Sequence, residues 1–296
     1  MAEPAGGDPR RLRVGLTQWH PTRDVAANLA VAVELIRAAG PQADLVVLPE
    51  NGLMLGTNAE MRAAALTVDS PEIDALRDAA KAASAAVVLG GFKRRTTDGD
   101  VFNTALVIGS DGEIAGGYDK IHLFDARIAG QSFEASGVER AGDRPLIITV
   151  AGVRLGVTIC YDVRFPELYR TLAVAGAEVF LVPAAFTHRT GSAHWEVLLR
   201  ARAIENAAYV VAPATIRGED GTDAFETYGH ALVVGPWGDV LVDLGEQAPA
   251  WQVVELPLAE VARVRETLPV LRSVRTDASC AAPTIIERDL SSGEWT

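Results

Sequence analysis

The chain has 296 residues, of which 49% are hydrophobic and 22% are charged. These proportions are ordinary for a folded globular protein and exclude a mainly disordered chain. The net charge of −12 argues against nonspecific binding to nucleic acid or to an anionic membrane surface. No apolar run reaches the ~18 residues of a membrane span, and the N-terminus shows no apolar segment typical of a signal peptide. With two cysteines, no disulfide scaffold is expected, so we expect a reducing, cytoplasmic location.

Composition divides the chain into a loose leader (residues 1–10), a globular domain (residues 11–275) and a polar tail (residues 276–296). In the central part, short apolar runs alternate with alanine-rich segments of helical periodicity, which is typical of a layered α/β fold. The predicted strands include residues 44–48, 85–91, 179–183 and 209–213, and the predicted helices include residues 24–39, 71–84, 166–175 and 193–207.

Four segments of the first half recur in the second half, in the same order. RVGLTQ (13–18) resembles RLGVTI (154–159), ADLVVLPE (43–50) resembles AEVFLVPA (177–184), AAVVLGG (85–91) resembles AYVVAPA (208–214), and the hairpin 103–120 resembles 229–245. Each half therefore predicts the order β-α-β-α-β-β, ending in a hairpin with a glycine turn. This internal pseudo-duplication predicts two sheets stacked face to face with helices outside. Residues 119–145 have no counterpart in the second half, and such insertions often carry function.

Cys160 is the first candidate for chemistry. It ends the apolar strand VRLGVTIC (153–160), and Pro166 and Glu167 mark the start of a helix soon after it. This order places a thiol at the carboxyl end of a strand, where a helix N-terminus favours the thiolate. An inert core cysteine is the alternative, and Cys280, in the polar tail, is no candidate.

Glu50 and Lys120 are the other two candidates. Glu50 directly follows DLVVLP, and a carboxylate at the end of a buried strand must face a cleft or a partner, the alternative being a surface acid that caps a helix. Lys120 follows the first-half hairpin and is one of three lysines among 24 arginines, which indicates a need for a compact ammonium rather than a chance surface charge. Thiol, carboxylate and ammonium thus end three successive strand elements, a more specific pattern than any of them alone.

Three sequence blocks carry a family resemblance: LPEN (48–51), YDKIHLFD (118–125) and ICYDVRFPEL (159–168). They resemble the signature blocks of the nitrilase superfamily of carbon–nitrogen hydrolases, and the resemblance extends over residues 11–275. It implies a four-layer αββα sandwich and a Glu-Lys-Cys catalytic triad at Glu50, Lys120 and Cys160. The second half, including LPVLRSVR (268–275), resembles the amidase branch that acts on deaminated glutathione, an omega-amidase-like group.

The sequence departs from this family at two points. The branch usually has Ser after Gly-His, where this chain has Ala231. The family also has a second glutamate that supports the lysine, two residues after an aromatic residue, and Ala135 occupies that position here. We therefore predict that Glu134, one residue earlier, takes the role, with Glu139 or no second acid as the alternatives.

The resemblance implies amide hydrolysis through a thioester, with Glu50 as general base, Cys160 as nucleophile, and Lys120 with the backbone N–H of Tyr161 as oxyanion donors. Arg164 is predicted to bind a substrate carboxylate, although pairing with a local acid is equally open. Thr187 and Trp195 are predicted to line the pocket, with helix packing as the alternative for Trp195.

No metal-ligand spacing and no glycine-rich phosphate loop are present in the sequence, so neither a metal nor another cofactor is expected. The expected partner is a small carboxylate-bearing amide that releases ammonia. An N-carbamoyl amino-acid amidohydrolase, a nitrilase and a non-catalytic binding or scaffold homologue are the alternatives.

A homodimer or larger oligomer is expected, with the helix after Cys160 at the interface. The family resemblance implies that this helix and the one over 193–207 pair across a two-fold axis, which requires a self-complementary apolar stripe. The residues that could supply the stripe are Leu168, Leu172, Val197, Leu198 and Ala201.

Overall fold

The computed structural model describes residues 10–128, 130–218, 221 and 223–275. The predicted tail (276–296), Cys280 and all but the last residue of the predicted leader therefore lie outside the described residues. No helix among the described residues is long and apolar enough to cross a membrane.

The described residues form two large sheets and one small hairpin. The strands of the first sheet are β1 (Arg11–Trp19), β2 (Leu45–Val47), β3 (Ala86–Arg95), β4 (Val101–Ile108), β5 (Ile114–Asp119), β12 (Ala214–Thr215) and β15 (Ala250–Pro257). Those of the second sheet are β8 (Leu146–Val150), β9 (Val153–Val157), β10 (Val179–Leu181), β11 (Tyr209–Ala212), β13 (Leu232–Val234) and β14 (Val240–Asp243). The hairpin pairs β6 (Asp125–Ile128) with β7 (Gln131–Glu134), inside the segment without a counterpart in the second half.

The described residues also form six α-helices. They are α1 (Val25–Ala39), α2 (Asn58–Ala63), α3 (Pro71–Ala83), α4 (Pro166–Val174), α5 (His188–Asn206) and α6 (Leu258–Thr267). The predicted helices correspond to α1, α3, α4 and α5, but α5 begins five residues earlier than predicted. The added first turn contains Gly191, where a Cβ would lie 2.4 Å from the Tyr228 side chain, so packing excludes a larger residue.

The predicted internal duplication is confirmed by the strand order. In the first sheet β1, β2 and β3 are parallel, and β4 and β5 then add antiparallel. In the second sheet β9, β10 and β11 are parallel, and β13 and β14 add antiparallel in the same way. Helices α1 and α3 occupy the same connections in the first half as α4 and α5 do in the second.

Two hydrophobic clusters separate the four layers. The larger one holds side chains of both sheets and of α4 and α5, and the smaller one lies between the first sheet and helices α1 and α3. Alternate residues of a strand point to opposite faces. In β2, Leu45 and Val47 therefore join the larger cluster, whereas Val46 joins the smaller one. This arrangement is the predicted αββα sandwich.

Candidate active site

Glu50, Lys120 and Cys160 lie together where the two sheets meet. Glu50 follows β2 and Lys120 follows β5 in the first sheet, whereas Cys160 follows β9 in the second. Since β2 and β9 end on the same side of the sandwich, their C-terminal loops converge there. The backbone of Cys160 is held by a hydrogen bond from its N–H to the carbonyl of Pro183, after β10.

The Glu50 carboxylate is buried and accepts three hydrogen bonds. Its Oε1 accepts from Lys120 Nζ at 2.8 Å and from Asn103 Nδ2 at 2.9 Å, and its Oε2 accepts from the backbone N–H of Ala185 at 2.9 Å. Burial alone would raise the pKa of Glu50, but the positive charges of Lys120 and Lys93 outweigh it and hold the pKa below its ordinary value. Glu50 is therefore an ionised carboxylate with a fixed orientation.

Lys120 is buried beside Glu50, and only 3% of its side chain is exposed. Burial would lower the pKa of Lys120, but the negative charge of Glu50 raises it above the ordinary value, and Glu139 adds to that effect. The ammonium is therefore permanently charged. Its backbone N–H donates to the carbonyl of Asn103, which ties the lysine to β4 as well.

Cys160 begins a 3₁₀ helix, Cys160–Arg164, and has a φ of +48°, an unusual conformation for a residue with a side chain. Burial and the charge of Glu50 raise the pKa of the thiol, and the opposing charge of Lys120 does not compensate. The expected low-pKa thiolate is therefore wrong for the resting site. Cys160 is a neutral thiol beside an ionised carboxylate, an arrangement in which the carboxylate can act as a base.

Asp162 holds the turn that carries Cys160, and the sequence analysis did not identify it. This fully buried carboxylate accepts hydrogen bonds from the Ile159 N–H at 2.9 Å and the Tyr118 hydroxyl at 2.8 Å. It also accepts from the backbone N–H of His122 at 3.1 Å. The position of Asp162 inside the block ICYDVRFPEL was the available signal.

A cavity opens over the three residues. Its walls combine charged groups with a ring of aromatic side chains. The lining residues include Glu50, Lys93, Asn103, Lys120, Phe124, Phe133, Ala135, Glu139, Cys160, Tyr161, Arg164, Phe186, Thr187 and Phe225.

Three of the four residues predicted to contact substrate line this cavity, namely Tyr161, Arg164 and Thr187. The guanidinium of Arg164 lies 5.1 Å from the centre of the Phe186 ring and 5.8 Å from that of Tyr161. No carboxylate among the described residues forms an ion pair with Arg164. Its positive charge at the cavity wall therefore remains available to an anionic ligand.

The prediction for Trp195 is wrong. Its side chain is buried, packs on Phe186 with ring centres 4.9 Å apart, and donates from Nε1 to the carbonyl of His230 at 2.8 Å. Trp195 faces inward from α5 and supports the cavity wall from behind. Helix packing, the alternative considered for this residue, explains its position.

The predicted placement of Glu134 beside Lys120 is also wrong. The Glu134 side chain is exposed and accepts a hydrogen bond from the Ser132 hydroxyl at 2.9 Å. Glu134 and Ala135 point to different sides of the chain, and it is Ala135 that reaches the cavity. Glu139 is instead the second acid of the cavity, 6% exposed and paired with Lys93. The small number of lysines was the signal that could have singled out Lys93.

Sequence and structure comparisons place this geometry in a known group. Residues 13–266 match the carbon-nitrogen hydrolase family. The chain belongs to this family. A deaminated glutathione amidase of Synechocystis sp. is 39% identical over 257 residues, covering 84% of this chain and 93% of the relative. A chloroplastic omega-amidase of Arabidopsis thaliana is 35% identical, covering 90% of this chain and 73% of the relative.

A solved structure of an amidase from Nesterenkonia sp. AN1 superposes with a TM-score of 0.76 at 26% identity, covering 94% of this chain and 97% of the other. That amidase was captured with the acetamide moiety of fluoroacetamide bound covalently to its active-site cysteine. Together with the family match, these similarities show that the protein is an amidase-type carbon–nitrogen hydrolase of the nitrilase superfamily. No group of three or more histidine, cysteine and acidic side chains suited to a metal ion occurs among the described residues.

Proposed function

We propose that this hydrolase cleaves the amide bond of a small carboxylate-bearing amide, with Glu50, Lys120 and Cys160 as its catalytic residues. The observation that carries the proposal is the Glu50 carboxylate, which is held by Lys120 at 2.8 Å in the wall of the cavity that contains the Cys160 thiol. Base, ammonium and nucleophile thus face one enclosed space.

The first step forms a bond between Cys160 Sγ and the amide carbon. Glu50 accepts the thiol proton as the sulfur attacks, which suits a neutral thiol beside an ionised carboxylate. Negative charge then develops on the carbonyl oxygen. Lys120 and the backbone N–H of Tyr161, in the first turn of the 3₁₀ helix, are the proposed donors to that oxygen.

The second step breaks the carbon–nitrogen bond. Glu50 returns its proton to the departing nitrogen, so that ammonia leaves and a thioester on Cys160 remains. Water, deprotonated by Glu50, then attacks the thioester carbon. The carboxylic acid product departs, and the proton held by Glu50 restores the thiol.

Arg164 supplies the proposed specificity for a carboxylate. A guanidinium matches the two oxygens of a carboxylate in a fork of parallel hydrogen bonds, and this one has no acidic partner among the described residues. The relatives named for deaminated glutathione and for omega-amides support a substrate whose carboxylate is distant from the amide. Thr187 and the aromatic side chains that line the cavity would contact the part of the substrate between its carboxylate and its amide.

A screen for ammonia release tests this function. Amides of dicarboxylic acids, matched amides without a carboxylate, ureido acids and nitriles are compared with the purified enzyme, and Cys160→Ala serves as the blank. We expect turnover of the carboxylate-bearing amides, and Arg164→Met should raise KM for these substrates while changing the matched neutral amides little. Preferred release of carbon dioxide from ureido acids, turnover of nitriles alone, or no turnover at all would contradict the proposal.

We also propose that the enzyme is a homodimer in a reducing compartment, the cytosol. Cys160 must remain a free thiol to attack an amide, and oxidation would remove its nucleophile.

Exposed apolar side chains on α4 and α5, Val174 at 61% and Val197 at 67%, support a subunit interface on that face. Cell fractionation tests the compartment, and light scattering tests the dimer.

A further inference from the structure

A second ion pair lies in the wall of the catalytic cavity, outside the Glu50–Lys120–Cys160 group. Lys93 Nζ lies 2.5 Å from Glu139 Oε2, and the side chains are 11% and 2% exposed. Both residues line the same cavity as Glu50, Lys120 and Cys160. A buried pair of this kind gains little stability over an apolar replacement, so its presence in a reaction cavity calls for another explanation.

The backbone fixes both partners relative to the catalytic residues. Lys93, on β3, is the cross-strand partner of Asn103 on β4, whose side chain donates to Glu50. On the other side, the Gly142 N–H donates to the carbonyl of Lys120 at 2.9 Å, which holds the segment of Glu139 beside that lysine. A Cβ on Gly142 would lie 2.1 Å from the Asp119 carbonyl, so this close approach requires glycine.

The cavity holds two pairs of opposite charge, and each pair is neutral by itself. Its buried charged groups are the two carboxylates of Glu50 and Glu139 and the two ammoniums of Lys93 and Lys120, while Cys160 is a neutral thiol. Lys93 lowers the pKa of Glu50, and Glu139 raises that of Lys120. The pair therefore acts across the cavity on both catalytic charges.

We propose that Lys93 and Glu139 are positioning residues that act as one neutral pair, in which each partner cancels the charge that the other would impose on Glu50 and Lys120. This inference rests on the proposed function for the roles of Glu50 and Lys120. Glu139 supplies the second acid that the sequence lacks at Ala135, and Lys93 is the counter-ion that offsets the charge of this second carboxylate. Each partner alone would leave an unbalanced charge in the cavity, and the two together leave none.

The test measures how the rate of Cys160 alkylation by iodoacetamide depends on pH. All variants carry Cys280→Ala, so that Cys160 is the one thiol that is alkylated. The Cys160 thiol can transfer its proton to Glu50 only while Glu50 is an ionised carboxylate. The alkylation rate therefore falls at low pH, and the position of this fall, called the acid limb, follows the ionisation of Glu50. The variants are Lys93→Met, Glu139→Gln, the double variant and Lys93→Arg. The matched controls are Lys81→Met and Glu134→Gln, which alter exposed residues of the same types.

Opposite shifts are expected from the two single variants. Lys93→Met should move the acid limb up by roughly 0.5–1 pH unit, because Glu50 loses a neighbouring positive charge. Glu139→Gln should move it down, because Lys93 is left without its counter-ion. The double variant and Lys93→Arg should return to within about 0.3 unit of the parent, and the controls should not move. If Lys93→Met does not fold, Lys93→Gln replaces it with the same expected direction.

Limbs that stay fixed in both single variants, or that move in the same direction, would overturn the proposal. So would a Lys93→Met enzyme whose only change is a higher KM, since Lys93 would then bind substrate rather than position Glu50. Alkylation displaces iodide and needs no hydrolysis of an amide bond. A parent enzyme that releases no ammonia from any amide would therefore refute the proposed function while the limb shifts still test the ion pair.

Discussion

Glu50 shows how a few contacts set the chemistry of a single residue. Two side chains and one backbone N–H surround its carboxylate, and all three act as hydrogen-bond donors to it. The neighbouring thiol has a raised pKa, so the resting proton belongs to sulfur and the negative charge to Glu50. This distribution favours concerted deprotonation and attack over a preformed thiolate.

Replacing Cys160 should abolish turnover without unfolding the protein. Neither the methyl group of Cys160→Ala nor the hydroxyl of Cys160→Ser can replace the thiol, and loss of a nucleophile costs at least ~10³-fold in kcat. Ammonia release and thermal unfolding are measured together. A thiol alkylating agent should inactivate the parent with one equivalent bound, located at Cys160 by peptide mass. Retained activity in Cys160→Ala would contradict the covalent mechanism.

Lys120→Arg should fail almost as severely as Lys120→Ala. The guanidinium keeps the positive charge, but it is larger and planar, and the buried site beside Glu50 fits a compact ammonium. Loss of an oxyanion donor costs roughly 10²–10³ in rate. Steady-state kcat on one amide, with the exposed Lys81→Arg as matched control, measures the effect. An arginine variant that kept most of the activity would show that charge alone is sufficient.

That Glu50, Lys120 and Cys160 lie together was predictable at the residue scale, because each follows a strand and the fold brings these strand ends together. The prediction for Glu134 failed, because the choice between Glu134 and Glu139 depends on how the loop after β7 turns. Spacing along the chain does not determine that turn, whereas the contacts of Lys93 and Gly142 do.

Two glycines in the middle of β3 let the elements around the site approach each other. A Cβ on Gly90 would lie 2.2 Å from the Leu48 carbonyl and 2.5 Å from Pro183 Cβ, which belongs to the second half. A Cβ on Gly91 would lie 2.2 Å from Asn103 Oδ1. The repeat AAVVLGG identified this strand, but only the three-dimensional packing explains why glycine follows the apolar run.

Gly91→Ala should lower activity by displacing Asn103, although it lies outside the cavity lining. The added methyl group must push the amide that donates to Glu50, and overpacking of this kind costs typically 1–3 kcal/mol. We expect kcat to fall by about tenfold or more, with a lower melting temperature. Gly137→Ala is the control for a glycine substitution, since this exposed residue has no positive φ and no atom within 4 Å of the added Cβ. Unchanged kcat in Gly91→Ala would show that Asn103 does not hold Glu50 in a working position.

On the scale of the whole molecule, the duplicated halves contribute differently to the site. The first half supplies Glu50 and Lys120, and the second supplies Cys160 and the Ala185 N–H that binds Glu50. The layered α/β class, the strand order and the duplication were predictable, because hydrophobic periodicity and turn residues encode them locally. Helices α2 and α6 and the early start of α5 were not predicted, although α2 begins with the capping box of Thr57 and Glu60, which is a local signal in the sequence.

The subunit interface is the prediction that belongs to the whole molecule. Leu168 and Leu172, expected in the interface, are 6% and 1% exposed and belong to the core. Val197, which was also expected in the interface, is 67% exposed on α5, where Ile204 is 50% exposed, and Val174 at 61% ends the neighbouring α4. An isologous contact requires such a patch to face its own copy across a two-fold axis.

Charge on this patch should therefore separate the subunits. Val197→Glu combined with Ile204→Glu places two carboxylates opposite two more across the axis, where like charges repel and lose solvent. Light scattering at micromolar concentration should change from a dimer or larger assembly to a monomer. Ile114→Glu, at an apolar position 36% exposed on β5, should leave the assembly intact. A parent protein that is already monomeric would refute the dimer, whereas an unchanged assembly in the double variant would place the interface on another face.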